Sequence, residues 1–99
     1  MKYLICLSNQ CTSVREVVDA VRTQGIETDL LLVQDGVYLA DKGCPHAAEI
    51  QVLKVKVHAL KHHIEERGIC ARLVVDVNQI EYHEMVELLM ERYDKVISL

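Results

Sequence analysis

The side chains that could do chemistry here are four cysteines, Cys6, Cys11, Cys44 and Cys70, and five histidines, His46, His58, His62, His63 and His83. A thiol accepts or donates sulfane sulfur only as the thiolate, so a working cysteine needs exposure and electropositive surroundings. Cys11 meets that test best. It stands just before Ser13, where a helix pattern opens, so the free amides and dipole of a helix N-terminus favour its thiolate, and Arg15 adds positive charge. It also falls at the carboxyl end of the first apolar run, where open α/β sheets bind ligands. The plain alternative is a loop cysteine with an ordinary thiol. Cys44 is the second candidate: His46 could lower its pKa, although neighbours in sequence need not meet in a usable geometry. Cys6, inside an apolar run, reads as a small core hydrophobe. Cys70 follows Gly68-Ile69 and reads as core or incidental.

Metal and cofactor chemistry find little support. No C-x-x-C occurs, and Cys44-Pro45-His46 with His62 does not match the paired short spacings of a zinc site. His62 and His63 are adjacent and point in different directions on a helix, so the histidines read most simply as solvent-facing helix residues. Neither G-x-G-x-x-G nor G-x-x-x-x-G-K-[ST] is present. Asp35-Gly36 is either a cofactor-contacting turn or, more simply, a tight strand exit in which Asp35 caps a short helix. No metal or cofactor is expected.

The elements that must position these residues alternate along the chain. Lys2 to Leu7 is a short buried strand. Ser13 and Glu16 have capping-box spacing, and Val14, Val17, Val18 and Val21 recur on one helical face that Gly25 ends. Leu30 to Val33 is a continuous apolar run, as in a parallel strand covered on both faces. A short helix, Val37 to Lys42, precedes an irregular Gly43-Cys44-Pro45. A strand from Leu53 to His58, a helix from Leu60 to Arg67, a strand from Leu73 to Ile80, a helix from Tyr82 to Tyr93 and a last strand from Val96 complete the pattern. Such alternation predicts a mostly parallel sheet of about five strands with helices on both faces.

The 99 residues are 51% hydrophobic and 26% charged, with one proline and four glycines, which suits one domain spanning 1–99. Eleven Lys and Arg against fifteen Asp and Glu give a net charge of −4 without a basic stripe, so direct nucleic-acid binding is not expected. No apolar stretch is long enough to span a membrane. The opening apolar run is too short for a secretory signal and polar Ser8-Asn9-Gln10 follows it, so a reducing cytoplasm and free thiols are expected.

Three stretches, Leu30 to Ala40 (LLLVQDGVYLA), Val55 to Ile69 (VKVHALKHHIEERGI) and Ile80 to Leu88 (IEYHEMVEL), resemble in order and spacing the DsrH/TusB family of sulfur-relay subunits. The resemblance implies a flavodoxin-like three-layer α/β/α domain working as a homo-oligomer or with DsrE/DsrF-like (TusD/TusC-like) subunits. It also implies persulfide transfer, either toward 2-thiouridine at the tRNA wobble position or in sulfur oxidation. The cysteine of the sulfur-oxidising DsrH branch falls, without gaps from Asp35-Gly36, on Ala20. The cysteine of the DsrE/TusD sisters follows the third strand, and His58 to His62 contains none. The chain therefore resembles the TusB-type branch, in which the subunit is structural or interaction-based, with Cys11 the first and Cys44 the second candidate carrier. The alternative is a stand-alone small sulfurtransferase or reductase using Cys11 or Cys44.

Overall fold

The computed structural model describes residues 1–9 and 13–99, so Cys11 lies outside the described residues. Five strands form one parallel sheet: β1 (Lys2–Leu7), β2 (Glu27–Leu32), β3 (Val57–Leu60), β4 (Val77–Ile80) and β5 (Lys95–Ser98), in the order β4-β3-β2-β1-β5. The helices are α1 (Arg15–Thr23), α2 (Ala47–Leu53), α3 (Lys61–Glu66) and α4 (Tyr82–Glu87), which runs on into a π-helical turn, Leu88–Arg92. The α/β architecture expected from the alternation is the one observed. No helix among the described residues is long and apolar enough to cross a membrane.

Side-chain alternation divides each strand between two faces. On one, Ile5, Leu7, Leu30, Leu32, Val57 and Ala59 meet Val14 just before α1, Val18 of α1, Ile50 and Leu53 of α2 and Ile64 of α3 in one apolar core. On the other, Leu4, Leu31, Leu60 and Ile80 meet Leu88, with Met85, Leu89 and Tyr93 partly buried beside them. α4 and its π turn supply all the helical partners of this second cluster. The chain passes there from β4 to β5 across the three intervening strands.

Several local expectations give way to tertiary contacts. Ser13 and Glu16 do not form a capping box: α1 starts at a Val14 cap without a side-chain hydrogen bond, and the Ser13 hydroxyl donates to Glu49 Oε2 of α2 at 2.9 Å. Asp35 does not cap the 3₁₀ segment Gln34–Ala40, whose cap position is Val33; its carboxylate pairs with Arg67 instead. Gly36 is required by close approach, since a Cβ there would sit 2.0 Å from the Leu7 carbonyl oxygen. Leu53 belongs to α2 rather than to β3. That helix ends on Lys54, which takes the left-handed conformation (φ 55°) usually left to glycine. β4 begins at Val77, four residues later than the apolar pattern suggested.

Candidate functional site

The carboxyl edge of the sheet, where open α/β folds place their ligands, gathers residues from three separate turns. β3 ends at Leu60 and runs straight into α3, which presents His62 and His63. Beside it, the chain leaving β2 puts Gln34 in the left-handed region (φ 50°). The Gln34 amide donates to His63 Nδ1 at 2.7 Å, which makes Nδ1 an acceptor and leaves the ring proton on Nε2. Nε2 lies 3.0 Å from the Tyr82 hydroxyl at the start of α4, so it donates there. Burial, with the Arg67 cation adding to it, pushes the His63 pKa down, which keeps the ring neutral. Arg67 itself is tied to Asp35 Oδ1 from Nε and Nη2, both at 3.1 Å, and donates to the His63 carbonyl at 3.3 Å. His62, whose ring centroid lies 6.3 Å from that of Tyr82, pairs with Glu66 at 2.6 Å.

Tyr82 is 51% exposed, so a hydroxyl that already accepts from His63 offers its own proton at the surface. An anionic group docked here would find a directed hydrogen-bond donor, strengthened by the bond that Tyr82 accepts. The cluster supplies orientation and a donor, not a nucleophile.

A second polar set lies on the sheet face under α4, toward the amino ends of the strands. His58 of β3 is buried at 3% exposure, a correction to the solvent-facing reading. The Asn78 amide of β4 lies 3.0 Å from His58 Nδ1, and His58 Nε2 lies 3.3 Å from the Tyr93 hydroxyl. Tyr93 donates to Asp29 of β2 at 2.6 Å, and Lys2 of β1 pairs with the same carboxylate at 3.5 Å. With Asp29 ionised, every donor in this chain has an acceptor: Asn78 to His58, His58 to Tyr93, Tyr93 to Asp29. Burial first, then the Lys56 cation, lower the His58 pKa, and burial with the bond to Asp29 raises that of Tyr93. Lys2 also donates its backbone amide to Asp94 at 2.7 Å, so the set ties the approach of β5 to the other strands.

The two candidate cysteines are not brought together with either cluster by anything in the described residues. Cys11 lies outside them. Cys44 is buried at 8% exposure in the larger core and is disulfide-bonded, a correction to the free thiol expected from the sequence, and His46 turns its Nδ1 to Glu49 at 3.1 Å. Cys6 is half-buried, and burial raises its thiol pKa; Cys70 is exposed on a 3₁₀ turn. No group of three or more His, Cys, Asp or Glu side chains among the described residues could hold a metal ion.

Sequence reasoning singled out neither His63 with Tyr82 nor the Asp29–Tyr93–His58 set. The second had a readable signal: Asp29, His58 and Asn78 are polar residues in strands at positions of the same parity as buried Leu31, Leu60 and Ile80.

Comparison with known proteins adds three findings. A family model described as DsrH like protein matches residues 9–96. Protein TusB of Escherichia coli O81 (strain ED1a) is 35% identical over 60 residues, and Protein TusB of Sodalis glossinidius (strain morsitans) is 37% identical over 60 residues. Each alignment covers 61% of this chain and 63% of the relative, so the match spans less than two thirds of those proteins. The crystal structure of the ychN protein from E. coli has the same fold, with TM-score 0.76, 19% identity and 100% of both chains covered.

Proposed function

The chain belongs to the DsrH-like family, and from that premise we propose that it is a subunit of a cytoplasmic sulfur relay with a mainly structural or interaction role. The match over residues 9–96 is the observation that carries the reading. The transfer served would be thiolate attack on the outer sulfur of a persulfide. A new S–S bond forms as the old one breaks, the donor leaves as thiolate, and no net oxidation occurs. The acceptor pathway would be tRNA wobble-uridine 2-thiolation or sulfur oxidation, with DsrE/DsrF-like (TusD/TusC-like) subunits as partners.

Two features support a supporting rather than a self-sufficient role. His58 to His62, the region where the resemblance implies the sister subunits' cysteine, contains none, and the Tyr82 hydroxyl beside α3 is a donor suited to a thiolate brought by another chain. Cys44 is buried and disulfide-bonded, so Cys11 is the carrier proposed if this chain itself holds sulfur. The test is persulfide transfer from a labelled donor, with the chain alone and with DsrE- and DsrF-like subunits, followed by mass spectrometric mapping of the adduct. Transfer only in the assembly, with any label on this chain lost in Cys11→Ser, is the expected result. Multiple turnover by the chain alone would overturn it in favour of an independent thiol enzyme.

A further inference from the structure

The opposite edge of the sheet, at the amino ends of the strands, holds an open cavity of about 460 Å³ between the turn after α1 and the turn from α2 into β3. Lys2, Arg22, Lys54 and Lys56 line it, against the carboxylates of Glu27 and Asp29. This reverses the sign of a chain whose net charge is −4. Asp29 is already engaged by Lys2 and by the Tyr93 hydroxyl. Arg22, Lys54 and Lys56 are exposed and form no ion pair among the described residues. Lys54, moreover, occupies its left-handed position at a backbone cost that glycine would not incur. A strained residue that brings charge to a concave surface is the kind of compromise associated with binding sites.

We propose that this cavity docks an acidic segment of a partner protein, whose carboxylates pair with Arg22, Lys54 and Lys56. Charge complementarity carries the choice of occupant. A nucleic acid fits the same cations less well. Its closely spaced phosphates would meet exposed Glu27 at the rim, no aromatic side chain lines the cavity for base stacking, and the net negative charge opposes a long polyanion. A peptide can space its carboxylates around Glu27 and offer that residue a backbone amide. The inference is independent of the relay reading, because it concerns binding by the chain on its own and involves no sulfur chemistry.

The test is an NMR titration of the isotopically labelled full chain with a hexaglutamate peptide and, in separate samples, with inorganic phosphate and a hexauridylate. Saturable shifts of the Gly25, Ile26, Lys54, Val55 and Lys56 amides are expected with the peptide. Affinity should fall at least tenfold in the exposed double variant Lys54→Glu/Lys56→Glu, and about tenfold between low and 0.3 M salt, as screened ion pairs require. Lys54→Gly with Lys56→Gln removes charge without adding a carboxylate, and a matching loss of affinity there supports the same pairing if the reversal variant fails to fold. The proposal is overturned if the peptide leaves these amides unmoved or if the charge variants bind it unchanged. Tighter binding of the hexauridylate, or saturation by phosphate alone, at the same residues also overturns it.

Discussion

The two faces of the sheet solve the burial problem differently. One is covered by α1, α2 and α3 and is mostly apolar, with Thr28 its buried polar side chain; Ile5, Val18, Leu30, Leu32, Ala59 and Ile64 are all 0% exposed. The other is covered by α4 and its π turn alone. Its carboxyl half is apolar around Leu31 and Leu60, while its amino half holds Asp29, His58 and Asn78. Under dense helical cover the Thr28 hydroxyl is satisfied locally by the Ile26 carbonyl, so the first face depends mainly on volume. A single covering helix leaves room for polar side chains, and these must then be hydrogen-bonded to one another. No buried side-chain nitrogen or oxygen among the described residues lacks a partner. The thickly covered face should therefore respond to changes of volume, and the thinly covered one to changes of protonation and hydrogen bonding.

The largest effect should come from Gly36→Ala, whose added methyl would meet the Leu7 carbonyl at 2.0 Å. A clash with backbone cannot be relieved by a rotamer change, so a loss of about 4 kcal/mol or failure to fold is expected in denaturant titration. Wild-type stability would show that the 3₁₀ segment is not held against β1 as described. Next, Ile64→Ala on the thick face should cost about 3–4 kcal/mol and Leu88→Ala on the thin face about 2 kcal/mol, because a site under one helix can collapse further. Equal losses would erase the contrast.

Tyr93→Phe removes one oxygen and leaves His58 Nε2–H without its acceptor and Asp29 without its shortest donor. A loss of about 1–3 kcal/mol is expected despite nearly unchanged volume, and a neutral outcome would mean the chain of hydrogen bonds is not made. The pH response follows from the same set. His58 and His63 both titrate below the ordinary 6.5 when folded. The unfolded chain therefore takes up protons first as pH falls. Their stabilising contribution is complete above about pH 6.5 and is lost as pH drops from there toward the folded pKa values. The urea midpoint should be lower at pH 5.5 than at pH 7.5, and the slope should shrink in His58→Gln. A midpoint that rises on acidification would contradict the sign. The smallest effect, and of opposite direction, is Lys54→Gly, expected to stabilise by up to about 1 kcal/mol by relieving the left-handed backbone.

The sheet was legible because strand and helix periodicities are local: LLLV and the valine face of α1 announce themselves within a few residues. The end of α2 was not, because Leu53, Val55 and Val57 alternate like a strand and no glycine marks the stop at Lys54. Ser13 looked like a cap because its real partner, Glu49, arrives from a distant helix. The carboxyl-edge cluster was hidden for a related reason. His63 and Tyr82 meet only because β3 and β4 lie side by side in register, from Val57 against Val77 to Leu60 against Ile80. No short motif encodes that neighbourhood. His58 misled in the opposite way: its burial depends on Tyr93, which reaches it only after the chain has crossed the sheet.

That crossing has a consequence for the newborn chain. β5 pairs with β1, Tyr3 beside Lys95 through Cys6 beside Ser98, so β1 waits until β5 has been made. At ordinary translation speeds the wait is on the order of 5–20 s. Throughout it, the β1 edge that β5 will cover stands bare, with Leu4, Ile5 and Cys6 in a row and their backbone groups open to any passing strand. Lys2, at the head of that edge, has neither Asp94 nor Tyr93 beside it until those residues have been made. In the interim Asp29 of β2 is its partner, and a lysine at an open strand edge disfavours pairing with a second chain.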